Sequence, residues 1–135
     1  MRFRVRRRRP PVELREQVLE EMTLLRERTP DVNGSVACTV DGLQIACDLG
    51  EDRGEQAAAL SAALLAMSRR MLTMTGRGAL EETLISGTAG FVAFYAAGPT
   101  IVLTVLAGPG ANVGLLRLEG RKTAAGVAAV AARKH

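Results

Sequence analysis

Residues 35–48 read SVACTVDGLQIACD, and the Asp41–Gly42 pair at their centre is a strong hairpin signal. A two-residue type I′ turn needs positive φ at both central positions, which Asp-Gly pairs adopt at little cost. Such a turn sets the register: Val40 opposite Leu43, Cys38 opposite Ile45, and Val36 opposite Cys47. Because side chains alternate along a strand, Val36, Cys38, Val40, Leu43, Ile45 and Cys47 then share one apolar face. Ser35, Ala37, Thr39, Gln44 and Ala46 occupy the other. The two cysteines fall on the same face but diagonally, roughly 7 Å apart. A disulfide brings Cβ atoms to about 4 Å, so both thiols are expected to be free, buried and slow to react.

Upstream of the hairpin, Leu14, Val18, Met22 and Leu25 recur at helical spacing between charged residues. This predicts an amphipathic helix from about Val12 that stops before Pro30, since the residue preceding a proline is pushed out of the α region. Residues 1–11 hold Arg2, Arg4, Arg6, Arg7, Arg8 and Arg9 with no acidic residue, and they close on Pro10 and Pro11. Mutual repulsion and proline predict a disordered basic arm ahead of a domain over residues 12–132. The net charge of +4 is carried by this arm, and the remaining chain is close to neutral.

Downstream, residues 54–75 predict a long helix with Ala57, Leu60, Leu64, Met67, Met71 and Met74 along one stripe, widened by Leu65 and Leu72. Gly76 and Gly78 end it. Three apolar-rich segments follow, at residues 79–86, 91–97 and 100–107, separated by glycine-rich turn signals. The last two are apolar on both faces, as in central strands covered on each side. The first is more mixed, with Glu81, Glu82 and Thr83, and suits a position nearer a sheet edge. Asn112 can cap a final helix to about residue 132, with Val113, Leu116, Gly120, Thr123, Val127 and Val130 on one face.

The resulting order, α-β-β-α-β-β-β-α at 135 residues, resembles the Roadblock/dynein light chain family and its profilin-like relatives. Thr29-Pro30-Asp31-Val32 resembles the family's step into its first strand, and Val40-Asp41-Gly42-Leu43 its hairpin turn. Gly90-Phe91-Val92, Val105-Leu106-Ala107 and Asn112-Val113-Gly114-Leu115 resemble its later strands and the entry to its last helix. No one motif is specific; the ordered set carries the likeness, over about residues 14–130.

The resemblance implies an α/β (α+β) fold with a five-stranded antiparallel sheet and helices on both faces. It also implies a homodimer in which third strands pair across a two-fold axis beside the second helices. The interface residues expected on that basis are Leu60, Leu64, Met67, Met71, Met74, Leu80, Glu82 and Leu84. By the same resemblance to bacterial members, the dimer regulates or scaffolds a Ras-like small GTPase. Such relatives reposition the GTPase's own catalytic groups, so no catalytic residue is assigned; Arg69, Arg70 and Arg77 are candidates for contact.

Read without the family, the residues also argue against an enzyme. The one histidine is the terminal His135, which removes histidine-based acid–base and triad chemistry. The acidic neighbours Glu20–Glu21, Glu51–Asp52 and Glu81–Glu82 diverge on any regular element and read as solvated charges. The run Gly108-Pro109-Gly110-Ala111-Asn112-Val113-Gly114 lacks the Gly-Lys-Ser/Thr ending of a phosphate loop. No cofactor or metal is expected.

Met67, Met71 and Met74 are most simply core residues. However, the stripe is wider than one sheet can cover, which favours a second subunit, and methionine suits adaptable interfaces. The alternative to a GTPase regulator is a membrane- or nucleic-acid-associated adaptor that uses the arginine arm. Ligand sensing in a profilin-like fold is a third reading. With no apolar segment after the arginines and no spanning stretch, the expected location is cytoplasmic.

Overall fold

In the computed structural model, residues 10–49 and 53–133 are described. The basic arm's Arg2, Arg4, Arg6, Arg7, Arg8 and Arg9, the Glu51–Asp52 pair and His135 lie outside them. The elements run α1 (Val12–Arg28), β1 (Val32–Thr39), β2 (Gln44–Asp48), α2 (Gly54–Met74), β3 (Glu82–Gly87), β4 (Gly90–Ala97), β5 (Ile101–Ala107) and α3 (Val113–Ala132). The five strands form one antiparallel sheet in the order β2-β1-β5-β4-β3. One face packs against α1 and α3 and the other against α2.

β5 sits at the centre, and nearly all of its side chains are buried. Its Ile101-Val102-Leu103 and Val105-Leu106 runs, interrupted only by Thr104, suit a strand covered on both faces. Two buried clusters flank it. Val18, Met22 and Leu25 of α1 meet Leu116, Val127 and Val130 of α3 over Ala37, Leu103 and Val105. On the opposite face, Cys38 and Val102 pack beneath Ala58 and Leu65 of α2.

The hairpin differs from its expected form. From Ser35↔Asp48 to Ala37↔Ala46 the register is as predicted, but Cys38 then pairs with Gln44 and leaves Ile45 as an extra residue. The turn is the reason. Thr39 N–H donates to Leu43 O at 2.8 Å and Gly42 N–H to Thr39 O at 2.9 Å, so three residues form the loop. Only Gly42 has positive φ, at 91°, while Asp41 does not. Asp41 instead accepts from the Thr39 hydroxyl, an arrangement that favours a three-residue loop with glycine in the left-handed position. The bulge sends Ile45 into the α1-side core beside Ala46, away from the face it was expected to share with Cys47.

The cysteines accordingly part company. Cys38 is fully buried and donates its S–H to Ala58 O at 3.4 Å. Burial, and secondarily the Asp41 carboxylate, push its thiol up to about 11. Cys47 is free and only half-buried, which corrects the expectation that both are sequestered.

Asn112 caps α3 by accepting from Leu115 N–H at 3.0 Å, worth about 1 kcal/mol. Gly120 lets this helix lie against the Tyr95 ring; a Cβ there would stand 2.6 Å from Tyr95 Cε2. The tyrosine hydroxyl reaches Leu116 O at 3.4 Å, and burial raises its pKa to about 12.

Two outcomes test this packing. At neutral pH a thiol reagent should modify Cys47 well before Cys38, and equal rates would show that β1 opens readily. Gly120→Ala should cost a net ~1–2 kcal/mol in denaturant unfolding, because overpacking against a buried ring outweighs the gain in helix propensity. A neutral or stabilising result would mean that the ring yields.

Candidate interaction surface

The second helix presents two apolar stripes. The inner one is made of small residues: Ala58, Ser61 and Ala62, with Leu65 as its one large member, all buried against the sheet. Ser61 Oγ accepts from Thr104 Oγ1 of β5 at 2.6 Å and donates to Ala57 O at 2.6 Å. A buried hydroxyl left unpaired would cost about 1–3 kcal/mol, so this pair fixes which side of α2 faces inward.

The outer stripe lies about 160° around the helix from the inner one. It carries Leu60, Met67, Met71 and Met74 at 59%, 67%, 58% and 72% exposure, with Leu64 half-buried beside them. The reading of Met67, Met71 and Met74 as core residues is therefore corrected. Small side chains let α2 sit close to the sheet, and the large ones are left on the solvent side. A run of large apolar groups on one exposed helix face is the kind of patch that marks an interaction site.

The two sheet edges differ as sharply. β2 is short, bulged at Ile45, and tied at its far end by Arg26, which donates to both Asp48 oxygens at 2.9 Å. Bulges and short length are ordinary ways to block strand addition. β3 has neither device. It pairs with β4 through six consecutive residues without irregularity, and Leu84 and Ile85 are exposed along it. It begins at Glu82, three residues later than expected.

Neighbouring groups hold this edge in place. Thr83 Oγ1 donates to Ser68 Oγ of α2 at 2.8 Å, so Thr83, and by alternation Ile85, face the α2 layer. Glu82 points the other way and accepts from Arg117 and, at 2.8 Å, from Arg121 Nε, both on α3. Arg121 also reaches Glu81 at 3.2 Å. β3 is thus pinned from both layers at its first two residues.

Of the interface residues expected from sequence, Leu60, Leu64, Met67, Met71 and Met74 share the outer face of α2. Leu80 packs partly into the cluster under that helix. Glu82 and Leu84 lie on the opposite side of the sheet, with the Glu82 carboxylate occupied by α3. Ile85, 42% exposed on the α2 side, was not singled out; the signal for it was its alternation with Thr83. Arg117 and Arg121 were also missed: their i,i+4 spacing on α3 was visible in the sequence, but not that it would face the acidic start of β3. Arg69 is half-buried, and Arg70 and Arg77 are exposed near the end of α2. None of the three forms an ion pair with a described residue. Among the described residues, no group of three or more His, Cys, Asp or Glu could hold a metal ion, and no helix is long and apolar enough to cross a membrane.

Comparison with known proteins places this architecture. The protein MJ0714 of Methanocaldococcus jannaschii is 33% identical over 110 residues, covering 81% of this chain and 92% of that one. The Roadblock/LC7 domain from Streptomyces avermitilis superposes with a TM-score of 0.73 at 25% identity, covering 78% of this chain and 89% of that one. The gliding protein MglB of Thermus thermophilus shares the fold, with a TM-score of 0.83 at 16% identity and coverage of 93% and 96%. The family model of the Roadblock/LC7 domain matches residues 18–107, a span that runs from the core of α1 to the last residue of β5. On that match, and on the element order it encloses, the chain belongs to the Roadblock/LC7 domain family.

Proposed function

We propose that this chain is a non-catalytic, homodimeric regulator or scaffold of a Ras-like small GTPase, acting in the cytoplasm through a domain over residues 12–132. The observation that carries the proposal is the pairing of an outward apolar stripe on α2 with an unprotected β3 edge on a single protomer. A second copy related by a two-fold axis satisfies both at once, because an isologous contact sets each surface against its own twin. β3 adds to β3 of the partner, and the two α2 helices bury their outer stripes. Each large apolar side chain removed from water contributes roughly 1.5–3 kcal/mol. Four from each protomer, together with new ladder hydrogen bonds, offset the several kcal/mol of freedom lost on association.

Membership in the Roadblock/LC7 family supports a protein that works by binding rather than by chemistry, and the GTPase is the partner that the family resemblance supplies. Arg69, Arg70 and Arg77 are the basic groups closest to the proposed interface and still available to an acidic partner. The arginine arm favours a second reading, an adaptor on an anionic membrane or nucleic acid.

Because Met67 and Met71 are solvent-exposed in the protomer, replacing either with Glu should leave the fold intact and remove only self-association. Light scattering at micromolar concentration should show a dimer for the wild type and a folded monomer for Met67→Glu and Met71→Glu. A folded wild-type monomer, or an unchanged dimer in both variants, would remove this interface.

The partner is tested by capturing a Ras-like GTPase loaded with GDP or a GTP analogue. Binding that depends on the nucleotide and survives loss of residues 1–11 supports a regulator. No binding, alongside arm-dependent capture of DNA or anionic vesicles, gives the case to the adaptor. The dimer itself should hydrolyse no GTP.

A further inference from the structure

Three of the chain's five methionines, Met67, Met71 and Met74, fall within a single eight-residue stretch of α2. Their i, i+4, i+7 spacing puts them on one helix face, and all three are more than half exposed on the protomer. Leucine fills the other large apolar positions of this helix, at 60, 64, 65 and 72. Its helix propensity is close to that of methionine and a Leu-for-Met exchange is among the best tolerated, so burial alone does not call for sulfur here. What the thioether adds is chemistry. An oxygen-atom donor converts it to a sulfoxide, which turns an apolar side chain into a polar one. The other described methionine, Met22, is fully buried in the core between α1 and the sheet, out of reach of such a reagent. Ser68, next to Met67 on the helix, donates nothing outward but accepts from Thr83 of β3 at 2.8 Å. The exposed thioethers therefore stand where the helix stripe meets the strand edge.

We propose that Met67, Met71 and Met74 form an oxidation site, and that their modification by a hydroperoxide dissociates the dimer while leaving each protomer folded. The inference rests on the dimer proposed above. With hydrogen peroxide, a lone pair of the thioether sulfur attacks the nearer oxygen. The S–O bond forms as the O–O bond breaks, and the far oxygen leaves as hydroxide and takes the proton of the transferred hydroxyl, giving water. Sulfur is oxidised by two electrons and the peroxide is reduced by two. On a free protomer the new sulfoxide oxygen faces water, and the core is untouched. Against a second α2 it faces Leu60, Leu64 and the twin methionines, side chains with no hydrogen-bond donor, and burying an unpaired acceptor is unfavourable. The same side chains thus favour association when reduced and oppose it when oxidised. Because sulfoxides are reduced enzymatically, one enzyme for each epimer, the change is reversible and acts as a switch.

The test uses the full chain with Cys47→Ser, which removes the half-buried free thiol as a competing target. After treatment with hydrogen peroxide, peptide mass mapping should find one added oxygen on each of Met67, Met71 and Met74 and none on Met22. Light scattering should show the dimer dissociation constant raised about a hundredfold or more, with the circular dichroism of the fold unchanged. Methionine sulfoxide reductases of both epimer specificities, with a thiol reductant, should restore the dimer. The triple variant Met67→Leu, Met71→Leu, Met74→Leu should show no change on treatment relative to its own untreated state. An untreated chain that is monomeric removes the dimer and this inference with it. A dimer that is lost in Met67→Glu but persists when all three methionines carry oxygen overturns the oxidation site alone and leaves the dimer standing. Dissociation that the triple leucine variant shares, or oxidation of Met22 in step with the other three, also overturns it.

Discussion

The contact on which the rest of the structure depends is the one between Ser61 of α2 and Thr104 of β5. It lies where the long helix crosses the central strand, both hydroxyls are buried, and neither can rotate away without losing its partner. Alanines at 58 and 62 let the helix approach closely enough for the bond to form. Together these small residues set the rotation of α2 about its own axis. Once that angle is fixed, the larger apolar side chains of the helix have one place to go, which is outward. A larger residue at 61 would lift the helix and change which stripe is hidden.

The sheet edges follow a similar division of labour. One edge is closed by a bulge and an ion pair, while the other is kept straight and held from both layers, by Ser68 above and by Arg117 and Arg121 below. Holding a strand in a fixed position reduces the ordering that a partner must supply on binding. The Glu82 carboxylate therefore acts on the edge indirectly, by anchoring it and not by meeting a partner.

Much of the fold was legible in the sequence because it rests on periodicity and punctuation. Proline at 30, glycines at 76 and 98, and the Asn112 cap mark boundaries that the structure reproduces within a residue or two. Three features were not legible, for separate reasons. The hairpin loop gained a residue because Thr39 competes for Asp41 through its side chain, a local bond that a dipeptide signal ignores. β3 started late because Ala79 and Leu80 are apolar enough to read as strand, yet pack as irregular chain. The burial of α2 was inverted because hydropathy weights Leu and Met above Ala and Ser, while close packing on a sheet rewards the small residues. The candidate surface was read in part: the outer stripe carried its own signal in being too wide, but the roles of Ile85, Arg117 and Arg121 depend on which strand lies next to which.

One consequence of the topology concerns how the chain reaches this state. β1 pairs with β5 across more than sixty intervening residues, from Thr39 to Ile101, whereas β3, β4 and β5 join through short turns. The C-terminal meander can assemble locally, but the sheet is complete only when the first strand closes that long loop, an entropically costly step. During synthesis the N-terminal helix and hairpin therefore wait, with their apolar faces uncovered, until β5 has been made. For that interval the chain is open to capture by other unfolded chains, and its folding rate is set by a contact between its two halves.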